Sequence, residues 1–150
     1  FAPEVIDSVS AVIDLGKKKA KASDLEMIGF SGGGAVAILV SAQRRDVKGI
    51  RTVAGNLNHK VWTTYHNITP LKGSLNAVDV ANKVVDIPQI HYVGDLDRNI
   101  GLRLAGSFKA RSGPGACLQI TQVVGASHGK GWAKLWTKLN KIKLPDCGSN

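Results

Sequence analysis

Apolar positions first recur along this chain at helical spacing and then switch to short solid runs. Val5, Val9, Val12, Ile13 and Gly16 repeat at the interval of a helix face. They follow Ala2-Pro3-Glu4, whose proline and acid suit a first helical turn. Lys17, Lys18, Lys19 and Lys21 sit at the end of this segment, where cations complement the helix dipole. Ser23-Asp24 breaks it. A strand is expected over residues 25–30, then a helix after Ser31, with Gly32 in its first turn, that is nearly all apolar until Gln43-Arg44-Arg45 and should be deeply buried. Further strands are expected over 48–54, 89–93 and 118–124, and further helices over 100–111 and 130–142. Such alternation predicts an α/β fold with parallel strands joined by right-handed crossovers. Between Asn56 and Asp86 the pattern breaks down. Asn67-Ile68-Thr69-Pro70 and Lys72-Gly73-Ser74 read as loop, and 79–85 as a short helix. A long excursion after the C-terminal end of a strand is a natural place for a substrate-binding cap.

Composition changes this picture little. The 150 residues suit one domain with a real core, 43% are hydrophobic, and mean hydropathy is −0.02. No apolar run approaches the roughly 20 residues of a membrane span. The net charge of +9 raises the question of nucleic acid. Its placement argues against a specific partner of that kind. Lys130, Lys134, Lys138 and Lys141 line one side of the last helix, opposite Trp132, Leu135, Trp136, Leu139 and Ile142. Aromatics are 5% of the chain, too few to interleave as a stacking platform. Cys117 and Cys147 have no metal-site spacing. Two readings stand: a bridge tying the C-terminal tail to the last strand, or two unrelated thiols, with a tilt toward an extracytoplasmic setting.

The chemistry concentrates at Gly29-Phe30-Ser31-Gly32-Gly33, a G-x-S-x-G run between strand and helix. A serine hydroxyl is a weak nucleophile and must be held out at a sharp turn where a base can reach it. Little side chain is expected to fit at Gly29 and Gly33, and the Gly32 N–H is placed for an oxyanion. A rival reading is dinucleotide binding, since Gly32, Gly34 and Ala37 fit G-x-G-x-x-A. That reading needs a carboxylate at the end of the next strand, which instead runs into Gly55-Asn56-Leu57. The nucleophile elbow is preferred. In that fold, acid and base follow in the order Ser, Asp or Glu, His. Asp95 and Asp97 follow the strand at 89–93, and of His59, His66, His91 and His128 only the last lies beyond them.

These motifs resemble the C-terminal half of an α/β-hydrolase. Gly29-Phe30-Ser31-Gly32-Gly33 matches the elbow, Gly94-Asp95-Leu96-Asp97 resembles the family's G-x-x-D, and Ser127-His128-Gly129 resembles its histidine loop. Residues 52–59 followed by Trp62 also resemble an uncharacterised bacterial subgroup of hydrolases. The resemblance implies Ser31 as nucleophile, Asp97 as orienting acid, His128 as base and Gly32 as oxyanion donor, with Asp95 the weaker acid candidate. It implies a serine hydrolase of small-molecule esters that needs no metal or organic cofactor. An inactive binding scaffold and an acyltransferase with the same triad are the alternatives. Asn56 and Trp62 are candidates for substrate contact or for packing. Packing is preferred for Tyr65 and His66, and a structural role for His91. The family carries eight strands with its elbow after the fifth, whereas no strand pattern precedes Leu25. The expectation is a partial fold of about four parallel strands. The elbow strand would then lie at a bare edge, completed by an N-terminal half or a partner chain.

Overall fold

The computed structural model describes residues 1–148. Four strands, β1 (Leu25–Phe30), β2 (Val47–Val53), β3 (Gln89–Gly94) and β4 (Leu118–Val123), form one sheet in the order β1-β2-β3-β4. All three pairings are parallel. Helices α1 (Pro3–Ala20), α2 (Gly32–Ser41), α3 (His59–Tyr65), α4 (Leu102–Ser112) and α5 (Trp132–Leu139) alternate with the strands, and a 3-10 helix spans Ala77–Lys83. Among the described residues, no helix is long and apolar enough to cross a membrane.

The two faces of the sheet are covered unequally. Ala35 and Ile38 of α2, Ala77, Val78 and Ala81 of the 3-10 helix and Phe108 of α4 pack with Val47, Ile50 and Leu118 into the main core. On the opposite face, Trp132, Leu135, Trp136 and Leu139 of α5, with Leu144 of the tail, cover Val53, Ile90, Tyr92 and Val123. As its composition requires, α2 is buried nearly throughout, from Gly34 to Ser41 with only Val36 partly exposed. Its placement as a core helix follows from being apolar on every side.

The first helix departs from the expected stripe. Ile6, Val9 and Ile13 pack toward α2, while Val5 and Val12 are 49% and 67% exposed. A helix packed chiefly against one neighbour buries a narrow face, so two of the apolar positions counted into the stripe fall outside it. The end of α1 is fixed by ions: Lys17 pairs with Asp46, and Arg44 forks onto Asp46 at 2.7 and 2.9 Å and onto Asp14 at 2.6 Å. Arg44, with help from Lys17, holds the Asp46 carboxyl far below the usual carboxylate range.

The excursion after β2 is ordered by two buried asparagines. Asn58 caps α3 by accepting the Val61 N–H at 3.3 Å, and it accepts the Asn76 side-chain amide at 3.1 Å. Asn76 in turn accepts the His59 N–H at 3.0 Å. The last helix is shorter than expected, starting after Gly131 at φ 92 and ending at Leu139. Cys117 and Cys147 form a disulfide that ties the tail to the start of β4.

Candidate active site

Three loops meet at the C-terminal rim of the sheet, where open α/β sheets place their ligand sites. The first is the turn from β1 into α2. Ser31 stands there at φ 52 and ψ −121, a conformation that costs a side-chain-bearing residue on the order of 1–3 kcal/mol. The β2 end holds it in place. The Ser31 N–H donates to the Val53 carbonyl at 2.9 Å, and the Ser31 carbonyl accepts the Asn56 N–H at 3.0 Å. Close approach explains two glycines. A Cβ on Gly29 would collide with the Gly33 backbone, and one on Gly34 would sit 2.9 Å from the Gly55 Cα. The expectation for Gly33 is corrected, since a Cβ there meets nothing within 4 Å. The tight partner of Gly29 is the Gly33 carbonyl, and the second crowded position is Gly34. As the first residue of α2, Gly32 has an N–H with no acceptor inside the helix.

The second and third loops follow β3 and β4 and are laced together. The Asp95 N–H donates to the Val123 carbonyl at 3.1 Å and the Leu96 N–H to the Ala126 carbonyl at 3.0 Å. Gly94 permits this, because a Cβ there would strike Ala126. Asp95 uses its carboxylate to accept the Gly125 N–H at 2.7 Å, bracing the loop that carries His128. Trp132, four residues beyond His128, donates its indole N–H to the Ser127 carbonyl at 2.7 Å and the His128 carbonyl at 3.1 Å.

The structure brings Ser31, Asp97 and His128 together, from sequence positions up to 97 residues apart. Ser31 Oγ lies 3.1 Å from His128 Nε2, and His128 Nδ1 lies 3.1 Å from Asp97 Oδ2. The Asp97 side chain is fully buried, and its Oδ1 accepts the N–H groups of Asn99 and Ile100, both at 2.8 Å. With the carboxylate accepting, His128 carries its proton on Nδ1 and leaves Nε2 free to accept the serine O–H. The Phe30 ring packs against the imidazole, centroid to centroid 5.3 Å.

Other candidates fall elsewhere. Trp62 packs beside Ala54, Ile100 and Leu104, with its indole N–H donated to Asn99 Oδ1 at 3.0 Å. Asn56 lies beside the elbow through its N–H, and its buried Oδ1 has no hydrogen-bond partner. His91 is wholly buried in β3, bonded to Thr52 Oγ1 at 2.9 Å, and burial pushes its imidazole down to about 3. It is neutral and belongs to the core. Sequence reasoning missed Asn99, Phe30 and Trp132. For Asn99 a signal existed: an Asp followed two residues later by a backbone donor is the usual Asx turn.

No family model and no curated protein matches this chain. Solved structures do. An esterase from Pyrococcus furiosus superposes with a TM-score of 0.71 at 15% identity, over 91% of this chain and 58% of the esterase. A puromycin hydrolase matches with a TM-score of 0.67 at 16% identity, over 83% of this chain and 22% of its own. The chain has the α/β-hydrolase fold. An α/β serine hydrolase homologue from Coxiella burnetii agrees, with a TM-score of 0.62 at 16% identity, over 91% of this chain and 55% of that one. The chain therefore spans less than two thirds of each of these α/β-hydrolase-fold proteins. Its four parallel strands, with β1 at one edge, match only part of those chains.

Proposed function

We propose that this chain is part of a serine hydrolase that cleaves small-molecule esters through an acyl-enzyme. One observation carries the reading: a strained, turn-borne serine hydroxyl within hydrogen-bond reach of an imidazole whose other nitrogen faces a buried carboxylate. Ser31 Oγ attacks the ester carbonyl carbon while His128 Nε2 takes its proton. Asp97 keeps the imidazole in the required tautomer and stabilises the imidazolium. The tetrahedral intermediate collapses, the C–O bond to the alcohol breaks, and His128 protonates the departing oxygen. Water then repeats the sequence on the acyl-serine, returning a carboxylic acid and free Ser31. The Gly32 N–H, at the positive end of α2, supports the oxyanion. Names of neighbours such as esterase and puromycin hydrolase support hydrolysis as the reaction class.

The same reading includes a companion for β1, either a preceding segment or a second chain. Ile28 and Phe30 are 52% and 47% exposed, and with Gly29, Val53, Trp132 and Trp136 they line an apolar groove of about 480 Å³ beside the unpaired edge. An added parallel strand would satisfy that edge. In the α/β-hydrolases this chain resembles, a loop preceding the elbow strand in sequence supplies a second oxyanion N–H, and one such donor is typically worth about 10²–10³ in rate. The isolated chain is therefore expected to turn over slowly. A p-nitrophenyl ester tests the reaction. The expected result is release of nitrophenol, with acyl-enzyme detected by intact mass, and loss of both in Ser31→Ala. Turnover surviving that substitution would remove Ser31 from the mechanism. Adding alcohol or amine acceptors separates hydrolysis from acyl transfer.

A further inference from the structure

The proposed reaction requires Asp97 Oδ2 to face His128, yet Asp97 belongs to a turn whose neighbours Asp95, Leu96 and Arg98 are exposed. Asn99 fixes that turn. Its N–H is committed to Asp97 Oδ1 at 2.8 Å. Its two acceptors are both held by α3 and the residue that ends it: the side-chain Oδ1 by the Trp62 indole N–H, and the backbone carbonyl by His66 Nε2, each at 3.0 Å. A carbonyl can only accept, so His66 carries a proton on Nε2. Trp62 and His66 are four residues apart, one helical turn, and their rings meet edge-on at 5.6 Å. Tyr65 packs on His66 and lies beneath the Arg103 guanidinium at 4.2 Å, anchoring α3 to α4, the helix into which the Asp97 turn runs.

We infer that Trp62 is a positioning residue that aims the Asp97 carboxylate at His128 by holding Asn99, an inference that rests on the hydrolase reading above. Asn99 links the two sides by hydrogen bonds, since its acceptors face α3 and its N–H faces the carboxylate, beside the Ile100 N–H that donates to the same Oδ1 at 2.8 Å. Removing the indole N–H frees the Asn99 side chain and loosens the turn. The carboxylate then samples orientations in which Oδ2 no longer meets Nδ1. Misplacement of a reacting group by roughly 1 Å costs up to about 10²-fold in rate.

Trp62→Phe deletes the N–H while keeping an aromatic ring beside Ile100 and Leu104, and Asn99→Ala deletes the acceptor. Two quantities are read on the 150-residue chain: the rate at which a fluorophosphonate labels Ser31, and the proton resonance of His128 Nδ1–H. Each variant is expected to slow labelling about tenfold and to broaden the Nδ1–H signal by solvent exchange, with an unchanged far-UV spectrum. The double variant should be no slower than the slower single, because both changes cut one link. Wild-type labelling and an intact Nδ1–H signal in Trp62→Phe would overturn the inference, as would multiplicative losses in the double variant. If the wild-type chain is not labelled at all, the hydrolase reading fails. The Nδ1–H signal then decides alone, supporting the relay if it broadens in Trp62→Phe and refuting it if it does not.

Discussion

Two carboxylates two residues apart have different duties at this rim, and their partners decide which is which. Asp97 is buried and faces His128, whereas Asp95 is exposed and holds the Gly125 N–H. On the proposed mechanism, Asp97→Asn is expected to slow fluorophosphonate labelling by as much as ~10⁴-fold, the scale seen when an orienting acid is lost. Asp95→Asn should cost far less, acting only through the brace on the histidine loop. Equal losses would reassign the acid. The glycines divide similarly. Gly29→Ala drives a methyl into the Gly33 backbone and should abolish folding or labelling, while Gly33→Ala should melt at or above the wild-type temperature. Buried His91 adds a pH dependence. Its imidazole is held near 3 in the folded chain against an ordinary 6.5, so below pH 6.5 the unfolded chain binds a proton that the folded chain refuses. Stability is therefore complete above about pH 6.5 and falls as pH drops toward 3, by at most about 1.4 kcal/mol per unit from this group. Urea unfolding between pH 6.5 and 4.5 should show this slope, and His91→Gln should flatten it.

At the scale of elements, legibility in the sequence followed the range of the forces involved. The strands and α2 were readable because solid apolar runs bounded by turns report burial directly, and they fall within a residue or two of expectation. The sharp turn at Ser31 was readable because steric demands are local and glycine meets them at Gly29. The pairing of His128 with Asp97 was expected from chain order, and the two side chains do meet. Helix α3 was not, since nothing in residues 59–65 announces a helix. It exists through Asn58 and Asn76, eighteen positions apart, and through Trp62 reaching Asn99. The duty of Trp62 was ambiguous for the same reason, as its partner lies 37 residues downstream. The apolar count on α1 was legible, but its buried side was not, because only the packing partner selects Ile6 over Val5.

Among the described residues, the molecule is a sheet packed on one face by α2, the 3-10 helix and α4, on the other by α5, with β1 at an edge that pairs no further strand. An apolar edge of this kind invites pairing. The isolated chain is expected to self-associate with rising concentration in sedimentation velocity, and Ile28→Lys, at a 52% exposed edge position, should reduce that association without unfolding the chain. Association unaffected by Ile28→Lys would place the contact elsewhere. The central claim, that a distant hydroxyl, imidazole and carboxylate act as one catalytic unit, has a direct measurement. Peptide mapping after fluorophosphonate treatment locates the adduct residue by residue. The account predicts one phosphonyl group, on Ser31, that disappears in both Ser31→Ala and His128→Ala. An adduct on another residue, or one on Ser31 formed as fast without His128, would contradict it.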